Sequence, residues 1–353
     1  MKIALLTIWH VGNYGAELQA YATIKTLTAL GHDVSIIDIR ENEHPTSSLK
    51  AKAASMIGKF TPAYHNFNKF WKEYFPQKTK HYHSIEELIA NPPKADAYIV
   101  GSDQVWNPDI TKEKTLIYFL NFGSPSVLRI SYASSFGSNQ WKGTVDLTNE
   151  IKKLLEGFNA ISCREKSGVS ILKSVWGIDA KRVLDPTLLI SDYSEFTGPI
   201  KVSQTLVYYP LTQYPQLEIF CMSLAKTMGL KLVNANETRM LTNSIPWKRP
   251  CVQSWVKKIA EAAFVVTPSF HGLAFSIIFR RQFMIINRGG SIERRARMID
   301  LLEELGLSER FCESFSEAQS KRLWERPIDF EKVYERLAIM RQESINFLKD
   351  SLA

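Results

Sequence analysis

Ser269, His271 and Gly272 lie within the string Val265-Val266-Thr267-Pro268-Ser269-Phe270-His271-Gly272-Leu273, where residue type and spacing first suggest chemistry. A β-branched run stops at the proline, and an apolar run from Leu273 to Phe279 follows, which reads as a buried strand, a tight turn and a helix starting at the turn. At the carboxyl end of a parallel strand, such a turn faces the ligand side of an open α/β sheet. The unpaired N–H groups and partial positive charge of a helix start suit an anion. Ser269 offers a hydroxyl, His271 can hydrogen-bond or move a proton, and Gly272 lets a ligand approach the backbone. The same residues also describe an ordinary αβ turn capped by a histidine, and the string alone does not choose between the two.

Three further strings have the form of a strand that ends in polar side chains. Ala95 to Val100 runs into Gly101-Ser102-Asp103-Gln104-Val105-Trp106-Asn107-Pro108. Here Asp103, Gln104 and Asn107 suit sugar hydroxyls and Trp106 a sugar face, although Asp103 and Asn107 are also common turn closers. Ala160 to Cys163 ends at Arg164, whose planar, permanently charged guanidinium grips carboxylate or phosphate, or pairs structurally with an acid such as Glu165. Gln282 to Asn287 ends at Arg288, which would face the same strand-end cleft as His271; Arg294, Arg295 and Arg297 follow in a helix and read equally well as solvated. Near the start, Lys2 to Ile8 is a strand, and Trp9-His10-Val11-Gly12-Asn13-Tyr14-Gly15-Ala16-Glu17-Leu18-Gln19 leads into a helix. Asn13 and Gly15 tolerate positive φ, which explains them structurally, while the turn as a whole could hold polar groups of a ligand. The spacing is not G-x-G-x-x-G, so the dinucleotide fingerprint is absent.

Positioning these residues requires two alternating β/α sets, and 353 residues suffice for two cores. The boundaries are read as 1–190 for the first domain, 191–203 as a linker bearing Gly198 and Pro199, 204–328 for the second domain and 329–353 as a terminal helix. Residues 45–94 interrupt the rhythm: seven Lys and a single acid, Glu73, fall between Ser47 and Ser84, interleaved with aromatics. Such a mixture suits a lipid headgroup region or an anionic glycan. The 3-4-3 spacing of Phe67, Phe70, Trp71 and Tyr74 favours an inserted helical pair with a buried aromatic stripe and solvated lysines. Four scattered cysteines without a Cys-x-x-Cys fit a reducing cytoplasm. The apolar start is short and has no small-residue cleavage site, so it reads as a strand rather than a signal peptide. The formal charge of +8 favours anionic partners, but no nucleic-acid motif accompanies it.

Taken together, Gly12 to Gln19, Gly101 to Asn107, Arg129-Ile130-Ser131-Tyr132-Ala133-Ser134-Ser135-Phe136-Gly137, Arg164-Glu165, Leu184-Asp185-Pro186-Thr187 and Ser269-Phe270-His271-Gly272 resemble the polysaccharide pyruvyl transferase family, in family order. The resemblance implies two Rossmann-like α/β domains facing a cleft, similar to GT-B glycosyltransferases, with the terminal helix crossing back to the first domain. It implies an enzyme that transfers pyruvyl from phosphoenolpyruvate to a hexose of a surface polysaccharide or its lipid-linked precursor; the cysteine pattern suits the cytoplasm, and the basic, aromatic segment would suit a peripheral place at the membrane's inner face. A ketal forms and phosphate leaves, with no cofactor or metal and no nucleic acid involved. On this reading Arg164, Ser269, His271, Gly272 and Arg288 hold the donor, and His271 is the candidate proton donor. Asn13, Tyr14, Gly15, Glu17, Asp103, Gln104, Trp106 and Asn107 belong to the acceptor side, with Asp103 or Glu17 as base. Asp185 reads as a structural residue at the hinge. The family commonly has Asp where this chain has Pro268; if that acid orients the histidine, its absence weakens an acid–base role for His271. The rival readings are a nucleotide-sugar glycosyltransferase on the same frame and a non-catalytic sugar-binding component of an assembly.

Overall fold

Short apolar runs that alternate with helical stretches fold here as parallel strands buried on both faces. The computed structural model describes residues 1–39, 56–211, 214–241, 245–287, 289 and 295–353. Among these, β1 (Lys2–Leu6), β2 (Asp33–Ile39), β3 (Lys78–Tyr82), β4 (Ala97–Val100), β5 (Leu128–Ser134), β6 (Ala160–Cys163) and β7 (Lys181–Arg182) form a seven-stranded sheet in the order β3-β2-β1-β4-β5-β6-β7. Every pairing in it is parallel. The second lobe contains β8 (Thr205–Tyr208), β9 (Lys231–Asn234), β10 (Arg239–Met240), β11 (Pro246–Lys248), β12 (Phe264–Thr267), β13 (Gln282–Ile286) and β14 (Phe311–Cys312). Its parallel sheet runs β14-β13-β12-β8-β9, and β10 and β11 form a separate antiparallel ribbon. Strand order reverses between β1 and β4 and between β12 and β8, so each lobe has a crevice at the carboxyl ends of its strands.

The terminal helix Phe330–Ser351 does cross between the lobes. Near its start the Tyr334 hydroxyl donates to the carbonyls of Ile277 and Ile278 at 3.1 and 2.6 Å. Near its end Ser344 Oγ accepts from Leu184 N at 3.0 Å, and Phe347, Leu348 and Leu352 are buried with Ile3, Leu5 and Ile99 of the first sheet. No described helix is long and apolar enough to cross a membrane.

Two expectations change. The stretch 191–203 is packed rather than a free linker: it holds the short helix Ser194–Thr197, and Tyr193 and Phe196 are buried against Tyr21, Phe70 and Phe275. The insertion is only partly helical, and its first part, to residue 55, lies outside the described residues. The helix Pro62–Tyr74 buries Phe67, Phe70 and Trp71, as the spacing implies. The polar string Lys78–Tyr82, however, pairs with β2 as the edge strand β3. Lysines suit an edge strand because they discourage pairing with another chain.

Candidate active site

The helix Phe270–Ile278 starts at the carboxyl end of β12, as the Thr-Pro-Ser turn predicts. Ser269 is its N-cap and accepts from Gly272 N at 3.3 Å, and Thr267 Oγ1 accepts from Ser269 N at 3.0 Å. Ser269 thus builds the turn. Gly272 has a packing reason: a Cβ there would stand 2.7 Å from the Thr267 side chain, so the expected close approach of a ligand to this backbone is replaced by close approach of Thr267. The turn aims His271 across the lobe boundary at the first helix, Tyr14–Ala29, where a Cβ on Gly15 would lie 2.1 Å from His271 Nδ1.

The other lobe answers with Arg164 at the end of β6, buried with a 2% exposed side chain. Its Nη1 donates to Asp185 Oδ2 at 2.8 Å, and Ser102 Oγ donates to the same oxygen at 3.0 Å. Asp185 Oδ1 accepts from Thr187 N and Oγ1 at 3.0 and 2.6 Å. His271 Nε2 lies 3.8 Å from Asp185 Oδ2. Asp185 is therefore not a hinge residue but the buried anion between Arg164 and His271. It also supplies a carboxylate beside the histidine, whose own turn carries Pro268 and no acid. Burial opposes ionisation of Asp185, but His271, Arg164 and Thr187 hold its carboxyl at about 2. Burial pushes the His271 pKa down against the pull of Asp185. Burial likewise disfavours the Arg164 charge, but Asp185, Asp103 and Glu165 outweigh it and raise the pKa.

A second arginine joins them. Arg297, on the helix Ala296–Glu304, sits with its Cζ 5.9 Å from the Phe270 ring centroid, while Arg164 Cζ lies 4.8 Å from the same ring. Burial and the like charge of Arg164 bring Arg297 down to about 10, which leaves it protonated at neutral pH. Arg164 Nε and Nη2, Arg297 Nε and His271 Nε2 are all shut off from solvent without a hydrogen-bond partner. The nearest acids to the two free positions of Arg164 are Asp103 Oδ1 at 3.7 Å and Glu165 Oε2 at 4.0 Å, too far for hydrogen bonds. Buried donors left unpaired are costly, and several converging at the strand ends of two sheets mark a site for an anion.

Asp103 borders this cluster with φ 78, an unfavourable backbone for a residue with a Cβ. Its carbonyl is tied to Ser135 N at 3.0 Å, which holds the loop in place. Gln104 fits where a Cβ on Gly137 would lie 2.0 Å from its Oε1, and that oxygen accepts from Asn107 Nδ2 at 3.0 Å. Asn107 caps the short helix Pro108–Thr111 through Asp109 N, so it closes a turn.

Several acceptor-side expectations are corrected. Trp106 is wholly buried, stacked on Phe119 with centroids 5.0 Å apart, and its Nε1 donates to Tyr118 O at 2.9 Å; no sugar can stack on it. Glu17 is wholly buried and accepts from Val11 N and Gly12 N at 3.1 Å, His10 N at 3.3 Å and Trp71 Nε1 at 2.7 Å, so it organises the loop before the first helix and is not a base for substrate. Tyr14 is buried at the lobe boundary, stacked on Trp255 with its hydroxyl donating to Pro250 O at 2.9 Å. Asn13 is the helix N-cap, its Oδ1 accepting from Gly15 N and Ala16 N at 2.9 and 3.4 Å. Gly15 serves the contact with His271. Arg288 lies outside the described residues. Arg297 and Ser102 were not foreseen: the Arg294–Arg297 cluster gave no sign of which arginine turns inward, and a lone serine beside Asp103 carries no signal.

Two Rossmann-like lobes that close on a shared cationic cluster define a GT-B-like α/β frame. The whole chain is similar in fold to an alpha-glucosyltransferase solved with UDP and a 13-mer DNA, at 9% identity, 99% coverage of each chain and TM-score 0.52. It is also similar to MnaA of S. aureus solved with UDP, at 11% identity over 95% of this chain and 90% of that one, TM-score 0.52. A third likeness is to UDP-GlcNAc 2-epimerase of Methanocaldococcus jannaschii, at 10% identity over 93% of each chain, TM-score 0.50. At such identities the likeness is one of fold. No curated protein matches the chain. The model of the polysaccharide pyruvyl transferase family matches residues 13–290, and the chain belongs to that family. It is a transferase that moves a pyruvyl group onto a polysaccharide.

Proposed function

We propose that the donor is phosphoenolpyruvate, held between the lobes by Arg164, His271 and Arg297, and that the acceptor is a hexose of a surface polysaccharide or its lipid-linked precursor, met at the inner face of the membrane. The observation that carries this reading is the set of unpartnered buried donors on three cationic or protonatable side chains, which suits a small molecule bearing both phosphate and carboxylate. Arg164 holds one edge of its fork on Asp185 and turns Nε and Nη2 to the ligand. Burial disfavours the charged form of His271. An arriving multiply charged anion favours the imidazolium, so the residue gains its proton when the donor is present.

The steps follow from the donor's chemistry. His271 delivers a proton to the enol CH2, C2 becomes oxocarbenium-like, and a sugar oxygen bonds to C2 as its hydroxyl loses a proton. The C2–O bond to phosphate then breaks with the electron pair leaving on phosphate, which the arginines stabilise. A second hydroxyl adds at C2, loses its proton and closes the ketal. Asp103, 19% exposed at the cleft side of Arg164, is placed to take a hydroxyl proton. Asp185 acts through Arg164 and His271 as a positioning residue.

Thermal unfolding with added ligand tests the donor. Phosphoenolpyruvate should raise the midpoint of the wild type, and UDP-glucose should not, because only a ligand of the folded state stabilises it. His271→Ala and Arg164→Ala should fold and lose both this response and phosphate release. A response to UDP-glucose alone, or wild-type turnover in both variants, overturns the assignment.

A further inference from the structure

Six large exposed apolar side chains lie on or beside two touching elements, one from each lobe. Met56, Ile57 and Phe60, just before the helix Pro62–Tyr74, are 63%, 47% and 82% exposed. Met240, Leu241 and Trp247, on the β10–β11 ribbon of the other lobe, are 46%, 49% and 46% exposed. The two elements pack on each other: β11 contacts the helix, and Asn66 Nδ2 donates to Arg249 O at 2.7 Å. Burying a single side chain at random explains none of this, because a phenylalanine standing four-fifths in water beside a wholly buried aromatic stripe gains nothing for the fold.

The charge around these tips is mainly basic, with Glu73 and Glu237 as exposed acids among it. Lys69 and Lys72 are exposed on the outer face of the helix, three residues apart, and Arg239 and Lys248 are exposed on the ribbon. The inner face of the same helix supports the site: Trp71 donates to Glu17 and stacks on His10 at 3.5 Å, in the loop that leads to Gly15 and His271. Apolar tips ringed by lysine and arginine fit the boundary between acyl chains and phosphate headgroups. A second copy of the chain fits poorly, since a two-fold contact would set this basic face against itself.

We propose that this two-lobed patch seats the protein on an anionic lipid surface with the cleft mouth next to the headgroups. The inference deepens the peripheral placement proposed above and rests on it, but it does not depend on which donor the cleft takes. Each Lys or Arg close to an anionic leaflet contributes about 1 kcal/mol, or about five-fold in affinity, and the contribution fades as salt screens it.

Co-sedimentation of the full chain tests this, with vesicles of phosphatidylcholine alone and of phosphatidylcholine mixed with phosphatidylglycerol. The wild type should bind the anionic vesicles, and less as salt rises. Lys69→Gln combined with Lys72→Gln should weaken binding about 25-fold at low salt. Phe60→Ser combined with Trp247→Ser should weaken it at every salt concentration. Both pairs should keep the wild-type unfolding midpoint and the wild-type response to phosphoenolpyruvate, because none of these side chains reaches the cleft cluster. Equal binding to both vesicle types, no binding, or equal binding by all variants overturns the proposal. So does a change in oligomeric state, by light scattering, as the main effect of the apolar pair. If the wild type binds vesicles but ignores phosphoenolpyruvate, the donor assignment fails and the docking surface stands.

Discussion

Replacing Gly15 with alanine tests the assembled site more sharply than removing any charged group. The added Cβ would lie 2.1 Å from Nδ1, 2.6 Å from Cε1 and 2.7 Å from Cγ of His271. Ordinary contact between such atoms begins at about 3.5 Å, so the ring must retreat by about 1 Å or more. It has little room, since Asp185 lies on one side and the Phe270 ring on the other. A misplacement of about 1 Å in a reacting group costs on the order of 100-fold in turnover. If His271 also holds the donor's charge, a lost charge-assisted hydrogen bond of about 1.5–3 kcal/mol weakens phosphoenolpyruvate binding by roughly 10- to 100-fold. The fold itself has no reason to fail, because alanine in a helix is favoured over glycine by up to about 1 kcal/mol. The assay is therefore a pair of measurements on one variant: donor affinity by calorimetry, and phosphate release with a pyruvylatable acceptor. The expected outcome is a near-normal unfolding midpoint with both functions reduced. Wild-type affinity and turnover in Gly15→Ala would refute the reasoning, since either the lobes do not meet as described or His271 is not in the chemistry.

Glu17→Gln should remove a pH dependence of stability. Burial pushes the Glu17 carboxyl up to about 7, so the folded state binds its proton more tightly than the unfolded chain does. The associated stabilisation is complete below about pH 4.5 and declines as pH rises toward 7, by about 1.4 kcal/mol per unit. Urea unfolding across that range should show the slope in the wild type and lose it in the variant. The amide also turns N–H toward donors that need an acceptor, at a cost of about 1–3 kcal/mol; a slope unchanged in Glu17→Gln would rule the residue out as its source. Trp106→Ala should cost about 3–5 kcal/mol in the same measurement, while Trp106→Phe, which keeps most of the packing, should leave the acceptor KM unchanged. A raised KM in a stable Trp106→Phe would restore the sugar-stacking role that burial denies.

How much of this was legible depends on whether the information is local. The β12 turn was readable because strand, proline, N-cap serine and helix all lie within nine residues, and the two parallel sheets were readable because buried strands are short apolar runs. The Pro62–Tyr74 helix betrayed its buried stripe by period alone. What failed shares one property. Trp106 and Asp103 are three residues apart in a string that looks like a single polar site, yet the first is wholly buried against Phe119 while the second borders Arg164, because the positive φ at Asp103 turns the chain between them. Glu17 looked like a candidate base and Trp71 like one more member of a buried stripe, and they satisfy each other across 54 residues. Asp185 read as a structural residue at the hinge, and it became the shared partner of Arg164 and His271 only when β6 and the β12 turn, from separate lobes, met over it. The same meeting supplies a charge beside the histidine although the turn itself carries Pro268: the carboxylate of Asp185 comes from the opposite lobe, 3.8 Å from His271 Nε2.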